Sequence, residues 1–169
     1  MDIDTFKILH SETIDFCQII EGDLKWIYSL MHVGDIGENH SKLEKTTLGQ
    51  VVSMLKELDK SSGEQFISDG DYNFLKQMTE KRNYWCHVCY RDFMYEENPL
   101  TSLAYKKVCD RLQRDHERLE SVYKNVEQAK LRQIGFTADN MVNPNFLIST
   151  FPKKPGSLIV SPLISRLSK

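Results

Sequence analysis

LTSLAYKKVCDRLQRDHERLESVYKNVEQAK, residues Leu100–Lys130, is the stretch whose reading decides the fold. Its apolar positions Leu103, Val108, Leu112, Leu119, Val122, Val126 and Ala129 return at helical intervals, with no glycine or proline among them. That is the pattern of one long amphipathic helix. At 1.5 Å per residue it extends on the order of 45 Å. The opposite face carries Lys106, Lys107, Arg111, Arg114, Glu117, Arg118 and Glu120, read as a solvated face with ion pairs. Asn98-Pro99 immediately upstream is a start signal, with asparagine as N-cap and proline at the first helical position.

Toward the N-terminus the same periodicity recurs. Phe6, Ile8, Leu9, Phe16, Ile19, Ile20, Leu24, Ile27 and Leu30 mark a first helix, clearest from Ser11, which the segment Gly34–Asn39 closes. Thr46 or Thr47 caps a shorter second helix with Leu48, Val51, Val52, Leu55 and Leu58 on one face, ended by Lys60-Ser61-Ser62-Gly63. Asp69 or Asp71 starts a third, with Phe74, Leu75 and Met78 inside, running on through Arg82–Arg91. Four helical segments with no alternating strand pattern predict an all-α protein, an up-and-down four-helix bundle.

The two ends of the chain differ in character. After Gly135 come four of the five prolines, at 144, 152, 155 and 162, so residues 135–169 read as an irregular extension of a bundle domain spanning residues 1–134. Phe146, Leu147, Ile148, Leu158, Ile159, Val160, Leu163 and Ile164 keep that tail apolar enough to pack along the bundle or against a partner.

Composition excludes several classes of function. The chain has 169 residues, is 40% hydrophobic and 27% charged, and carries a formal net charge of -2, the profile of a globular domain with a core of its own. No global basic excess marks it as a nonspecific duplex binder. No apolar run approaches the roughly 20 residues that span a bilayer, and Met1-Asp2-Ile3-Asp4 is an acidic start rather than the basic start of a signal peptide. The expected location is the cytoplasm. The four cysteines (Cys17, Cys86, Cys89, Cys109) do not make a disulfide framework. Cys86-His87-x-Cys89 stops short of the four ligands of a structural zinc site, with no second cluster to complete it, so neither metal nor cofactor is expected. The plainer reading makes Cys86 and Cys89 small buried hydrophobes on a helix.

The chemistry-bearing segment is Lys81-Arg82-Asn83-Tyr84-Trp85-Cys86-His87-Val88-Cys89-Tyr90-Arg91. A guanidinium can hold a phosphate and an imidazole can move a proton near neutral pH. On a helix, Arg82, Cys86, Cys89 and Phe93 form one stripe, and Asn83, His87 and Tyr90 the next. The segment carries no obvious nucleophile for phosphodiester cleavage and lacks the carboxylate cluster that would hold magnesium. Metal-free cleavage of RNA fits these parts, because RNA supplies its own 2'-hydroxyl. His87 is then the general base or acid, and Arg82 stabilises charge on the phosphorane. Against this stands a bland reading: a partly buried histidine, an arginine paired with Glu80 or Asp92, and Tyr84, Trp85 and Tyr90 as core or interface aromatics.

Arg82-Asn83-Tyr84-Trp85-Cys86-His87, preceded by Glu80-Lys81 and followed by Val88-Cys89-Tyr90-Arg91-Asp92-Phe93, resembles the Arg-x4-His signature of the HEPN superfamily (higher eukaryote and prokaryote nucleotide-binding domains). Thr47-Leu48-Gly49-Gln50-Val51-Val52 also resembles a turn of some bacterial members, and the likeness covers roughly residues 10–130. The resemblance implies a homodimer with facing motif helices and one composite, metal-independent ribonuclease cleft. Arg82 and His87 would be the catalytic pair, and Asn83 the polar residue beside the arginine. Tyr90 and Arg91 would support RNA binding. It further implies a toxin, phage-defence or RNA-processing role, with an antitoxin or nucleotidyltransferase as a partner. In one toxin branch a tyrosine two residues after the histidine is nucleotidylated. Here that place holds Cys89, and the tyrosine, Tyr90, comes one later. The alternative is a noncatalytic helical module that binds a protein or a nucleotide.

Overall fold

The computed structural model describes residues 1–142, with side chains through residue 135. Among these the chain is all-α: α1 (Ile3–Met31), α2 (Ile36–Lys42), α3 (Leu48–Ser61), α4 (Asp69–His87) and α5 (Leu103–Val142), with 3-10 turns at Cys89–Asp92 and Pro99–Thr101. The helical class is as expected, but there are five helices rather than four. Where the sequence reads as a closing turn, Gly34 turns the chain at φ 120° and Asp35 accepts from the Glu38 amide at 2.9 Å. That cap is enough to start α2. Asn39 inside α2 is buried and donates back to the His32 carbonyl, tying the short helix to the end of α1. The Arg82–His87 segment therefore lies on the fourth helix, not the third.

The caps account for the other shifted boundaries. Asp2 accepts from the amides of Asp4 and Thr5, so α1 begins at Ile3, well before Ser11. Ser68, rather than Asp69 or Asp71, caps α4 through the Asp71 amide. Asn98-Pro99 opens only a 3-10 turn; Ser102 accepts from the Tyr105 amide and α5 starts after it. Gly135 does not interrupt α5, which continues to Val142. The proline-containing stretch 143–169 lies outside the described residues.

Side-chain pairing sets the directions of the long helices. Phe6 packs on Tyr105, Phe16 on Tyr123, and Asp23 on Lys130, so α1 and α5 run parallel. His10 meets Trp85 while Glu21 meets Arg82, and Tyr84 meets Arg111 while Asp71 meets Asn125, so α4 is antiparallel to both. Two apolar clusters result. The larger joins Cys17, Ile20, Leu24 and Ile27 of α1 to Val51, Val52 and Leu55 of α3, Tyr72, Leu75 and Met78 of α4, and Leu119–Ala129 of α5. The smaller holds Phe6, Trp85, Cys89, Phe93, Tyr105, Val108, Cys109 and Leu112, and α3 contributes nothing to it. Helix α3 covers the beginning of α4 and leaves its last two turns flanked by α1 and α5 alone.

Candidate functional site

That short reach of α3 creates the site. Counting 100° per residue, the α4 face that buries Tyr72 and Leu75 against α3 carries Arg82 and Cys86 two to three turns later. There it is uncovered. Asn83, Cys86 and His87 are exposed and Arg82 is half-buried. Arg82 and His87 are separated by about 7.5 Å along the axis, at 1.5 Å per residue, and both sit at the open end of the bundle.

Arg82 is not free. Its Nη1 donates to Glu21 Oε2 of α1 at 2.8 Å, and the other Glu21 oxygen lies 3.2 Å from Lys25 Nζ. Neither Glu80 nor Asp92, its partners in the bland reading, takes the guanidinium; Asp92 accepts from the Tyr84 hydroxyl at 2.7 Å. His87 ends α4 and has no side-chain hydrogen bond or ion pair among the described residues, and the same is true of Asn83 and Arg91. The Asn83 and His87 side chains, one turn apart, are not bonded to each other. Tyr90 is 38% exposed and lies edge-on to Phe6 and His10. The structure thus puts Asn83 and His87 on one open stripe at the end of α4, with Arg82 about 140° round the helix from His87 and turned to Glu21, and places Tyr90 and Arg91 just past the helix end.

The aromatic residues divide. Trp85 is fully buried in the smaller cluster, and its indole Nε1 donates to Asp115 at 3.1 Å. Tyr84 lies beneath the Arg111 guanidinium, 3.5 Å from the ring centroid, so Arg111 belongs to an α4–α5 contact rather than to a purely solvated face. Arg118 likewise turns inward to the buried Asp71 at 2.8 Å. The cysteines divide too: Cys89 is buried as expected, whereas Cys86 is exposed.

Three functional neighbours escape a reading of the motif alone. Glu21 neutralises Arg82. Asp115, buried on α5, receives both Trp85 and Lys81, the latter at 2.5 Å. His10 of α1 donates from Nε2 to the Trp85 carbonyl at 2.7 Å and so caps the end of α4, where a helix leaves carbonyls unpaired. Asp115 has a signal in the sequence: a carboxylate between Leu112 and Leu119 at core spacing. Glu21 and His10 have none, because their partners are more than 60 positions away.

No helix among the described residues is long and apolar enough to cross a membrane. No family model, curated protein or solved structure matches this chain.

Proposed function

We propose that the protein is a metal-independent endoribonuclease of HEPN type that acts as a homodimer. The observation that carries this reading is the open end of α4 beyond the reach of α3, where an unpaired imidazole and an amide share one exposed stripe and a half-buried guanidinium lies on the neighbouring one. Cleavage by the 2'-hydroxyl needs a base on that oxygen and an acid on the departing 5'-oxygen. One chain offers one such imidazole on this stripe. A second copy, its α4 facing the first, supplies the other His87 and a second Arg82. The guanidinium would leave Glu21 in part to take the phosphate, and charge-assisted, bidentate contact favours that exchange as the phosphorane gains charge.

The test is incubation of the purified protein with a pool of single-stranded and transfer RNA in EDTA, beside His87→Ala and Arg82→Ala. Fragments ending in 2',3'-cyclic phosphate, reduced at least 100-fold by either substitution, are expected, since a general acid–base group contributes about 100- to 10,000-fold. Equal cleavage by wild type and both variants would sink the assignment.

A second reading, a noncatalytic interaction module, draws on a different observation. Met94, Tyr95, Leu100 and Leu103 around the α4–α5 connection are 47–86% exposed, and such surfaces mark protein contacts. An inactive but folded wild type in the same assay would favour it.

A further inference from the structure

Cys86 and Cys89 bracket His87, and ribonuclease chemistry uses neither thiol. Both are free. Cys86 is exposed to solvent, whereas Cys89 is fully buried beside Phe6, Trp85 and Phe93. With 1.5 Å rise and 100° per residue, the two Cα atoms are about 5 Å apart. That falls within the roughly 4.4–6.8 Å range that disulfides accept. Helical hydrogen bonding reaches as far as Val88, whose amide bonds the Tyr84 carbonyl at 2.9 Å, one residue short of Cys89.

The backbone is already interrupted at this point. The Trp85 carbonyl would take the Cys89 amide in a continuing α-helix. It accepts instead from His10 Nε2 at 2.7 Å and from Cys89 Sγ at 3.2 Å. Val88 has φ -118°, and a tighter 3-10 turn follows at Cys89–Asp92. Re-aiming the Cys89 side chain therefore breaks its contacts with the Trp85 carbonyl and with His10 Nε2, 3.5 Å away, and leaves the α4 ladder intact.

We propose that Cys86 and Cys89 form a redox-active dithiol that a disulfide oxidant of the glutathione type closes into an intramolecular disulfide around His87. Cys86, the accessible thiol, attacks first as its thiolate. The glutathione S–S bond breaks, one glutathione thiolate leaves, and Cys86 carries a mixed disulfide. Cys89 then loses its proton and attacks the Cys86 sulfur, expelling the second glutathione. Two protein thiols are oxidised by two electrons, and one glutathione disulfide is reduced to two thiols that take up the two protons. Burial pushes the Cys89 thiol up to about 11, and charge on nearby Asp92 and Cys86 adds to the rise. The second step is consequently the slow one, and it accelerates as pH rises. Closure draws Cys89 out of its contact with the Trp85 carbonyl and changes the setting of His87. The link to His87 chemistry rests on the ribonuclease reading; formation of the disulfide does not.

The full chain is equilibrated in glutathione buffers of graded reduced-to-oxidised ratio, the remaining thiols are alkylated, and trypsin is added. Cleavage after Arg82 and Arg91 releases both cysteines in one peptide, residues 83–91. The expected product is that peptide without alkyl groups and lighter by two hydrogen atoms, following a single two-electron transition. Exposed Cys86→Ser should leave Cys89 reduced, and Cys89→Ser should accumulate glutathione on Cys86. A doubly alkylated peptide in oxidised glutathione, a persistent glutathione adduct on the wild type, or closure only in urea would overturn the proposal. None of these readouts depends on RNA cleavage, so an inactive protein that closes the disulfide would count against the ribonuclease alone.

Discussion

At the scale of single residues, Asp115 is the most consequential carboxylate near the motif. Its side chain is 10% exposed, and its two oxygens serve Lys81 at 2.5 Å and the Trp85 indole at 3.1 Å, with Arg111 at 3.8 Å. Lys81 keeps part of its hydration, which tempers the loss expected for a broken pair. Asp115→Ala should lower stability by about 2–3 kcal/mol, because it strands a buried indole N–H as well as unpairing the ammonium. Urea unfolding followed through tryptophan fluorescence measures this; a change under about 0.5 kcal/mol would refute the anchoring role. Arg82 offers the contrast. Its pair with Glu21 is one-third open to solvent on the arginine side, so Arg82→Ala should cost less than about 1 kcal/mol. A lost activity in that variant would then report on chemistry rather than on folding.

At the scale of elements, the α3–α4 corner sets where the open stripe begins. Asp59, at 1% exposure near the end of α3, accepts from the amides of Phe66 and Ile67 at 2.8 and 3.1 Å and from the Tyr72 hydroxyl at 2.8 Å. Gly63, at φ 86°, supplies the left-handed turn that brings the loop back to it. One carboxylate thereby holds a loop and two helices in register. Asp59→Ala should cost about 2–4 kcal/mol, leaving two amides and a hydroxyl without their acceptor. The accompanying sign is faster hydrogen exchange at Phe66 and Ile67. Unchanged protection there would show that the corner stands without Asp59.

At the scale of the whole molecule, buried acids in both clusters tie stability to pH. Burial pushes the Cys17 thiol from 9.0 up to about 12, with Arg82 opposing the rise. Burial lifts Cys89 to about 11. Tyr72 is raised further still, by burial and then by its bond to Asp59. In each case the unfolded chain gives up its proton first. Their contribution is complete below about pH 9 and is lost as pH rises through the folded-state values, by up to about 1.4 kcal/mol per pH unit for one thiol. In reducing buffer the urea midpoint should fall between about pH 8 and pH 10.5, and Cys17→Ser should blunt the fall. A midpoint that holds steady in the wild type would contradict protonated, buried thiols.

The helical class was legible because it is a local property. Period-3.6 apolar runs such as Leu112, Leu119, Val122 and Val126 bury one face whatever they pack against. The motif was legible for the same reason, since Arg82, Asn83 and His87 share α4 by spacing alone. Sequence by itself therefore determined an all-α chain, much of its core and the polar stripe of one helix, although Ile8, Ile19 and Leu103 of the apolar pattern are exposed. Only the tertiary structure decided that Asp35 starts an additional helix, that Glu21 takes Arg82, that His10 caps α4, and that α3 stops short of the motif turns. Each of these depends on which side chains meet across distant parts of the chain or on how far one helix reaches along another, and helical periodicity carries no information about either.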